Sequence, residues 1–351
     1  VTEGGALVSF SRSDSIRLGF EAALAEARKY VGATAPNPPV GAALLDEAGR
    51  LLGVAAHQKA GSEHAEARLI RELTESGLIS LAHTLVVTLE PCNHQGRTPP
   101  CTGAILSHSG IREIHIGASD PNPRVKGRGA ERLETEGRNV RWLGPDEALG
   151  EDCKRLIAPF KKLSVTGLPW VLVKSAHRFD SLTDRANAVH NIEELLRSPE
   201  ALRLSMVPPA GQKTFTSVRS LESAHLLRKQ SDAILTGSGT ILSDDPSFTV
   251  RRVHDHAGKH RNLAILDRSG RVSNEWLRRA AERGFDLTHI TGQSTWMETL
   301  LSIGAKGCLQ VLIEAGPRIT SDILDSKLWD EHVAYLSTRG HEDICIKRRR
   351  A

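Results

Sequence analysis

Three short segments of this 351-residue chain carry residue types that can do hydrolytic chemistry together: His64-Ala65-Glu66, Pro91-Cys92 and Cys101. One histidine and two cysteines supply three ligands for a zinc ion and leave the fourth tetrahedral position to water. Two thiolates formally cancel the charge of the ion, so water bound there is acidified less than on an ion held by three neutral histidines. A carboxylate beside that water then becomes useful. Glu66, two residues after the histidine, is placed to take the proton, pass it to a ring nitrogen and protonate the departing ammonia. His-x-Glu followed by Pro-Cys and a later Cys is the logic of zinc nucleobase deaminases, where the glutamate is the acid/base and not a ligand. The bland alternative is a closed structural zinc site or two unrelated buried thiols. A closed site needs a fourth ligand, and the candidate, His94, lies only two residues after Cys92.

These residues need elements to hold them. Ile16, Phe20, Ala23, Leu24, Ala27 and Val31 recur at helical spacing, with Ser13 or Ser15 as N-cap. Val40 to Leu45 reads as a strand. A second helix starts near Ser62 or Glu63 and carries Ala65, Leu69, Ile70 and Leu73 on one face, which puts His64 and Glu66 at its start. Thr84 to Leu89 reads as an interior strand leading into Cys92. Pro100 suits a first helical position, so Cys101 opens a helix whose N-terminal dipole favours a thiolate. Ile111 to Ile116 is a further strand. Pro159, Gly167 and Pro169 then break the pattern, and Trp170 to Lys174 starts a new strand. Ala233 to Thr236, Leu263 to Leu266 and Val311 to Glu314 follow as strands. Strands alternating with helices predict α/β layers in both halves, divided as residues 1–158 and 166–351. The stretch from Leu182 to Lys213 reads as a long flexible insertion with one short helix near Ile192 to Leu196.

Composition narrows the class. Lys+Arg of 46 against Asp+Glu of 42 gives +4, and aromatics make up 4%. A dedicated nucleic-acid binder wants a basic face and stacking rings. No apolar run approaches the length of a spanning helix, and the first 15 residues show no secretory signal pattern. Five cysteines, odd and sparse, fit a reducing compartment better than a disulfide framework. The expectation is a cytoplasmic protein without a membrane or nucleic-acid partner, whose cysteines serve as metal ligands.

The run Pro91-Cys92-Asn93-His94-Gln95-Gly96-Arg97-Thr98-Pro99-Pro100-Cys101 resembles the bifunctional riboflavin-biosynthesis deaminase/reductase family, RibD. Eight residues separate its cysteines, where editing-type cytidine and adenosine deaminases typically have two. Pro36-Asn37-Pro38-Pro39-Val40-Gly41 resembles the family's substrate loop, His57 precedes His64 by seven residues as in the family, and Asp120-Pro121-Asn122-Pro123 with Val125, Gly127 and Gly129 resembles its second loop. The resemblance implies a cytidine-deaminase-like α/β/α domain that deaminates 2,5-diamino-6-(5-phosphoribosylamino)pyrimidin-4(3H)-one. It implies that His64, Cys92 and Cys101 hold Zn2+ and that Asn37, His57, His94, Asp120 and Asn122 hold the phosphorylated pyrimidine. On residue type alone, Asn37 and Asn122 are equally good turn formers and His57 an ordinary surface histidine.

The second half is similar to the family's reductase domain, which has a dihydrofolate-reductase-like α/β fold and uses NADPH. Ser231 to Thr240, Asp244-Asp245-Pro246 and Thr249-Val250-Arg251 carry the match, with His225 and Arg228 in place. By resemblance, Lys174, Thr240, Asp244, Arg251, Glu314 and Gly316 bind cofactor or substrate. The plain alternatives are a tight turn at Gly237-Ser238-Gly239 and a surface ion pair between Asp244 and Arg251. Departures are visible. Arg178 and Ser181 stand where the family has small Ser and Gly, Leu221 replaces an expected arginine with Arg219 out of register, and Lys347 to Arg350 reads as a solvated tail in place of closing strands. These departures favour a reductase-like scaffold over a working reductase. A deaminase of another base or nucleoside and a zinc-stabilised regulatory protein are the remaining readings. The family resemblance also implies a homo-oligomer.

Overall fold

Every residue of strand β1 (Gly41–Leu45) is buried, so this strand must be covered on both faces. Its alternation shows how. Ala42 and Leu44 pack in one apolar cluster, Ala43 and Leu45 in another. In the computed structural model, which describes residues 11–95, 99–122, 128–144, 148–179, 198–206, 215–338 and 343–350, the chain divides into two compact units, Val1–Val165 and Thr166–Ala351.

The first unit is a five-stranded sheet in the order β2-β1-β3-β4-β5, with β2 (Leu51–Ala56), β3 (Thr84–Val87), β4 (Glu113–Ile116) and β5 (Asn139–Trp142). β1 pairs antiparallel with β2 and β3; β3, β4 and β5 run parallel. On one face lie α1 (Arg12–Arg28), through Phe20, Ala23 and Leu24, and α5 (Ala148–Leu156), through Cys153. On the other lie α2 (Ala65–Glu75), through Leu69, Ile70 and Leu73, α3 (Cys101–Leu106), through Ile105, and α4 (Arg128–Thr135), through Leu133. This is the expected α/β/α sandwich. Gly41 is dictated by closeness: a Cβ there would meet the Ala23 carbonyl oxygen at 2.0 Å.

Helix α6 (Ala158–Thr166) leads to the second unit. Its seven-stranded sheet has the order β12-β11-β6-β10-β7-β8-β9, with β6 (Trp170–Phe179), β7 (Ala233–Gly237), β8 (Arg261–Leu266), β9 (Phe285–Ile290), β10 (Gln310–Ile313), β11 (Glu331–Thr338) and β12 (Ile344–Arg349). Only β12 is antiparallel to its neighbour. Val171, Val173, Ala233, Leu235, Val311 and Ile313 meet α11 (Trp296–Ala305) and α12 (Pro317–Ser326) on one face. Leu172, Leu312, Val333 and Tyr335 meet α8 (Val218–Gln230) on the other, where Ile234, Leu263 and Ile265 meet α10 (Asn274–Glu282). Between β7 and β8 the short α9 (Ser238–Asp244) starts directly at the strand end. Among the described residues, no helix is long and apolar enough to cross a membrane.

Several sequence expectations need correction. The basic tail is a strand: Lys347 pairs with Val333 and Arg348 with His332 in the β11–β12 ladder, so the closing strands are present. The insertion contains a helix, α7 (Pro199–Ser205), with Pro199 in the first turn and Ser198 as cap. It packs Leu202 against Ala334, Leu336 and Ile346. The helix expected near Ile192 to Leu196 lies outside the described residues, as do Asp180 and Ser181. Helix α1 starts after Ser11, whose side chain accepts from Asp14 N, and not after Ser13 or Ser15. The second helix starts at Ala65, later than Ser62 or Glu63, and Pro100 caps α3 from outside its first turn. Residues 158–166, read as a break, form a helix despite Pro159. Arg178 is accommodated on β6 opposite Ser337 and is half-buried.

A polar file crosses this second core. Ser205 Oγ donates to Leu202 O (2.9 Å), so it must accept from His177 Nδ1 (3.0 Å). His177 Nε2 then accepts from Ser175 Oγ (2.6 Å), which accepts from His332 Nε2 (2.8 Å). Among the described residues, His332 Nδ1 is left buried without a partner. Burial pushes both imidazoles down to about 3, helped by Lys174 and His332 at His177 and by Arg348 at His332. The folded values lie below the ordinary histidine value, so the unfolded chain takes up protons first. The stabilisation is complete above about pH 6.5 and falls below it by up to about 1.4 kcal/mol per pH unit for each imidazole. Denaturant unfolding between pH 7 and pH 5 should show the midpoint dropping in the unsubstituted chain and dropping less steeply in His332→Leu.

Candidate active site

The end of the first sheet gathers the metal-ligand candidates from three elements. His64 is the N-cap of α2, extended at φ −70° and ψ 161°, and its side chain makes no capping bond. The ring is therefore free to face the strand exit beyond β3. There its Nδ1 lies 3.5 Å from Cys92 Sγ and 3.3 Å from Cys101 Sγ. A tetrahedral zinc with bonds of about 2.3 Å to sulfur and about 2.0–2.1 Å to nitrogen sets such atoms roughly 3.5 Å apart. The donor set and its spacing fit zinc. Among the described residues, these three ligand atoms form the one group lying within 4.8 Å of one another, so three corners of a tetrahedron are supplied and no fourth protein ligand joins them. His94, the candidate for closing the site, is exposed.

The two sulfurs differ. The neighbouring Cys101 thiol and the His64 ring bring Cys92 down to about 4, while the hydrogen bond with Cys92 and burial push Cys101 well up. The Cys101 N–H also donates to Cys92 Sγ at 3.4 Å. The hydrogen bond with Cys92 raises His64. Glu66, in the first turn of α2, is 3% exposed, and burial raises its carboxyl above the ordinary range. It stays outside the ligand group and beside it.

Two of the candidates, His57 and Asn37, meet one another. Asn37 Nδ2 donates to His57 Nε2 at 3.2 Å, and His57 Nδ1 donates to the Glu63 carbonyl at 3.0 Å. Burial lowers the His57 pKa against the opposing pull of the Glu63 carbonyl, and the neighbouring His64 and Arg68 lower it further. The His57 and His64 rings make an edge contact with centroids 5.2 Å apart, which places the Asn37–His57 pair at the metal corner. Asp120 is buried, its pKa raised by burial, and its Oδ1 accepts from Asn122 N at 2.8 Å in an Asx turn. Pro123, Val125 and Gly127 lie outside the described residues.

Sequence reasoning missed the residues that brace this corner. Asn93 Oδ1 accepts from Arg132 Nη1 (2.8 Å) and Thr102 Oγ1 (2.9 Å), tying α4 and α3 to the segment behind Cys92. Glu90, buried just ahead of Pro91, was missed too. Neither is flagged by spacing, since both bind backbone or residues distant in sequence.

In the second unit, several of the candidates gather where β7 and β10 end beside Lys174 of β6, the end of an open α/β sheet at which a ligand crevice is expected. Glu314 is partly buried and bound: Arg228 Nε meets its Oε2 and Arg228 Nη2 its Oε1, both at 2.7 Å, and Lys174 Nζ reaches Oε1 at 3.3 Å. Burial opposes charge here, but Arg228 and Lys174 hold the carboxyl well below its ordinary range. Thr240 Oγ1 accepts from Gly316 N at 2.9 Å, joining α9 to the turn after β10. His225 Nδ1 accepts from Arg251 N at 2.9 Å, and burial with Arg228 nearby pushes its ring down to about 4. The alternative reading, a surface pair between Asp244 and Arg251, is not formed among the described residues: Arg251 binds Ser247 Oγ at 2.8 Å, and Asp244 accepts from Ser243 Oγ at 2.7 Å.

Comparison with known proteins agrees with this geometry. Residues 14–118 match the cytidine and deoxycytidylate deaminase zinc-binding region, and residues 205–338 the RibD C-terminal domain. The chain is 30% identical over 337 residues to the riboflavin biosynthesis protein RibD of Aquifex aeolicus, covering 90% of this chain and 85% of that one. Among solved structures it is similar to the diaminohydroxyphosphoribosylaminopyrimidine deaminase/5-amino-6-(5-phosphoribosylamino)uracil reductase of Thermotoga maritima, at 28% identity and TM-score 0.75, covering 95% and 90% of the two chains. It is also similar to Acinetobacter baumannii RibD, at 27% identity and TM-score 0.73, covering 92% and 86%.

Removing one sulfur should open the metal corner. Cys101→Ser should weaken zinc binding by at least about a hundredfold, because outer partners of a ligand alone are worth 10- to 100-fold. Chelator competition followed by metal analysis of the unsubstituted and substituted chains measures this.

Proposed function

The chain belongs to the RibD family of riboflavin-biosynthesis proteins, and from that premise we propose how its own residues divide the work. It is a zinc-dependent deaminase with an NADPH-using reductase domain. The first domain, taken as residues 1–158, acts on the phosphorylated diaminopyrimidine; the second, residues 166–351, acts on the deaminated product. The convergence of His64, Cys92 and Cys101 beside the buried, non-ligating Glu66 carries this reading.

Zinc bound by His64, Cys92 and Cys101 supplies the polarisation that lets water attack at neutral pH. Glu66 takes one proton from the attacking water and delivers it to the adjacent ring nitrogen. Oxygen adds to the ring carbon. Glu66 then takes the remaining proton of the added hydroxyl and gives it to the amino group, the carbon–nitrogen bond breaks, ammonia leaves and a ring carbonyl remains. Asn37 and His57, fixed to one another, present an amide and a neutral imidazole to the polar edge of the ring. Asp120 and Asn122 hold the far side, and the exposed His94 meets the phosphate end.

NADPH supplies a hydride for the ribosyl carbon in the second domain. Lys174, Thr240 and Gly316 lie around that crevice, Glu314 fixes Arg228 and Lys174 in it, and Asp244 and Arg251 bind at its rim. The β11–β12 pair removes one ground for the scaffold reading, the missing closing strands. A homo-oligomer working in the cytoplasm completes the proposal; sedimentation of the purified chain tests the first part.

Glu66→Gln should retain zinc and lose ammonia release by about 10²–10⁴-fold. Deamination persisting in that variant would remove Glu66 from the mechanism. For the second domain, NADPH oxidation should rise above background only when the deaminated pyrimidine is present. Oxidation at background level with that substrate would return the domain to a scaffold role.

A further inference from the structure

We propose that Glu90 is a positioning residue of the deaminase site, its buried carboxylate fixing the Asp120–Asn122 segment and helix α4 against the strand exit that carries Cys92. The proposal rests on the deaminase reading above and adds to it a residue that sets where the pyrimidine sits relative to the metal corner.

Glu90 is 4% exposed and lies two residues before Cys92. Its two oxygens face opposite ends of one segment. Oε2 accepts from Asp120 N at 3.3 Å. Oε1 accepts from Gly129 N at 3.1 Å and Ala130 N at 3.3 Å. The last two are first-turn amides of α4, which have no carbonyl of their own helix to bind, and a carboxylate there also complements the positive end of the helix. Glu90 N itself donates to Ala118 O at 2.9 Å, so main chain and side chain both tie this strand exit to the segment after β4.

A second observation shows how close the parts are. A Cβ on Gly129 would lie 1.9 Å from the Pro91 carbonyl oxygen. Helix α4 therefore touches the residue joining Glu90 to Cys92, and glycine alone allows it. The Asn93 side chain adds a parallel link, donating to Arg128 O at 3.2 Å. With Asp120 leading the proposed substrate segment and Cys92 on the metal, Glu90 is the shortest covalent and hydrogen-bonded path between the two.

Chemistry supplies the test. Glutamine has the shape of glutamate but a single acceptor oxygen, and its NH2 group must face an N–H donor at one of the two arms. One arm is then broken while the side chain still fills its space. Aspartate keeps both acceptors but is one methylene shorter.

The experiment uses the full chain loaded with zinc, in unsubstituted, Glu90→Gln and Glu90→Asp forms. Zinc content, thermal unfolding and steady-state ammonia release from the phosphorylated diaminopyrimidine are measured together. Glu90→Gln should keep the zinc content of the unsubstituted chain and raise KM about tenfold or more, with kcat within about threefold, the pattern of lost ground-state binding. Glu90→Asp should fall between the two. An unchanged KM in Glu90→Gln, or a fall in zinc content and kcat with KM unmoved, overturns the proposal. Where Glu90→Gln does not fold, Glu90→Asp decides alone, and an unchanged KM overturns it. Absence of ammonia release from the unsubstituted chain sinks the deaminase reading itself, and this inference with it.

Discussion

Three ligand atoms from three separate pieces of chain must arrive within a few ångströms of one another, and the architecture of the first unit follows from that demand. The N-cap of α2 brings an imidazole, the exit of β3 brings one sulfur, and the first turn of α3 brings the other. None of these positions is held by its own element alone. The fully buried β1 fixes β3 against α2 and α1. Asn93, Thr102 and Arg132 lock the cysteine-bearing segments to α4. Rigid elements place such a constellation more accurately than loops do, and Glu66, the proposed proton carrier, inherits that accuracy from the same helix turn as His64.

The second unit meets a different demand. Just past the end of β10 stands a partly buried carboxylate, Glu314, whose two oxygens are taken up by Arg228 and Lys174. A buried charge left alone is costly, whereas one that is paired and hydrogen-bonded can fix the groups around it. The pairing leaves Glu314 little freedom to bind ligand directly and gives it the task of holding two cations where strand ends open. The sequence resemblance placed Glu314 and Lys174 in the site without showing that they are partners of one another.

What could be read from sequence was whatever has a local signature. His-x-Glu, Pro-Cys and Cys, with apolar periodicity around them, located the metal corner and its α/β frame. What escaped was set by distant partners or by edges. β12 carries Lys347, Arg348 and Arg349, and basic side chains on an edge strand look like a solvated tail until its backbone partner is known. α7 was obscured because Pro199, read as a breaker, occupies the one region of a helix that tolerates it. Glu90 gave no signal because its partners are main-chain amides some thirty to forty positions away.

The buried file from His332 through Ser175 and His177 to Ser205 and Leu202 has a direction. Each group gives its hydrogen to the next, and the order admits one tautomer for each ring. A helix seated one turn away would set donor against donor or leave both lone pairs facing each other. The α7 segment is therefore keyed to β6 and β11 by polarity as well as by the fit of Leu202, and it is stitched to the sheet with a single permitted handedness of its protons.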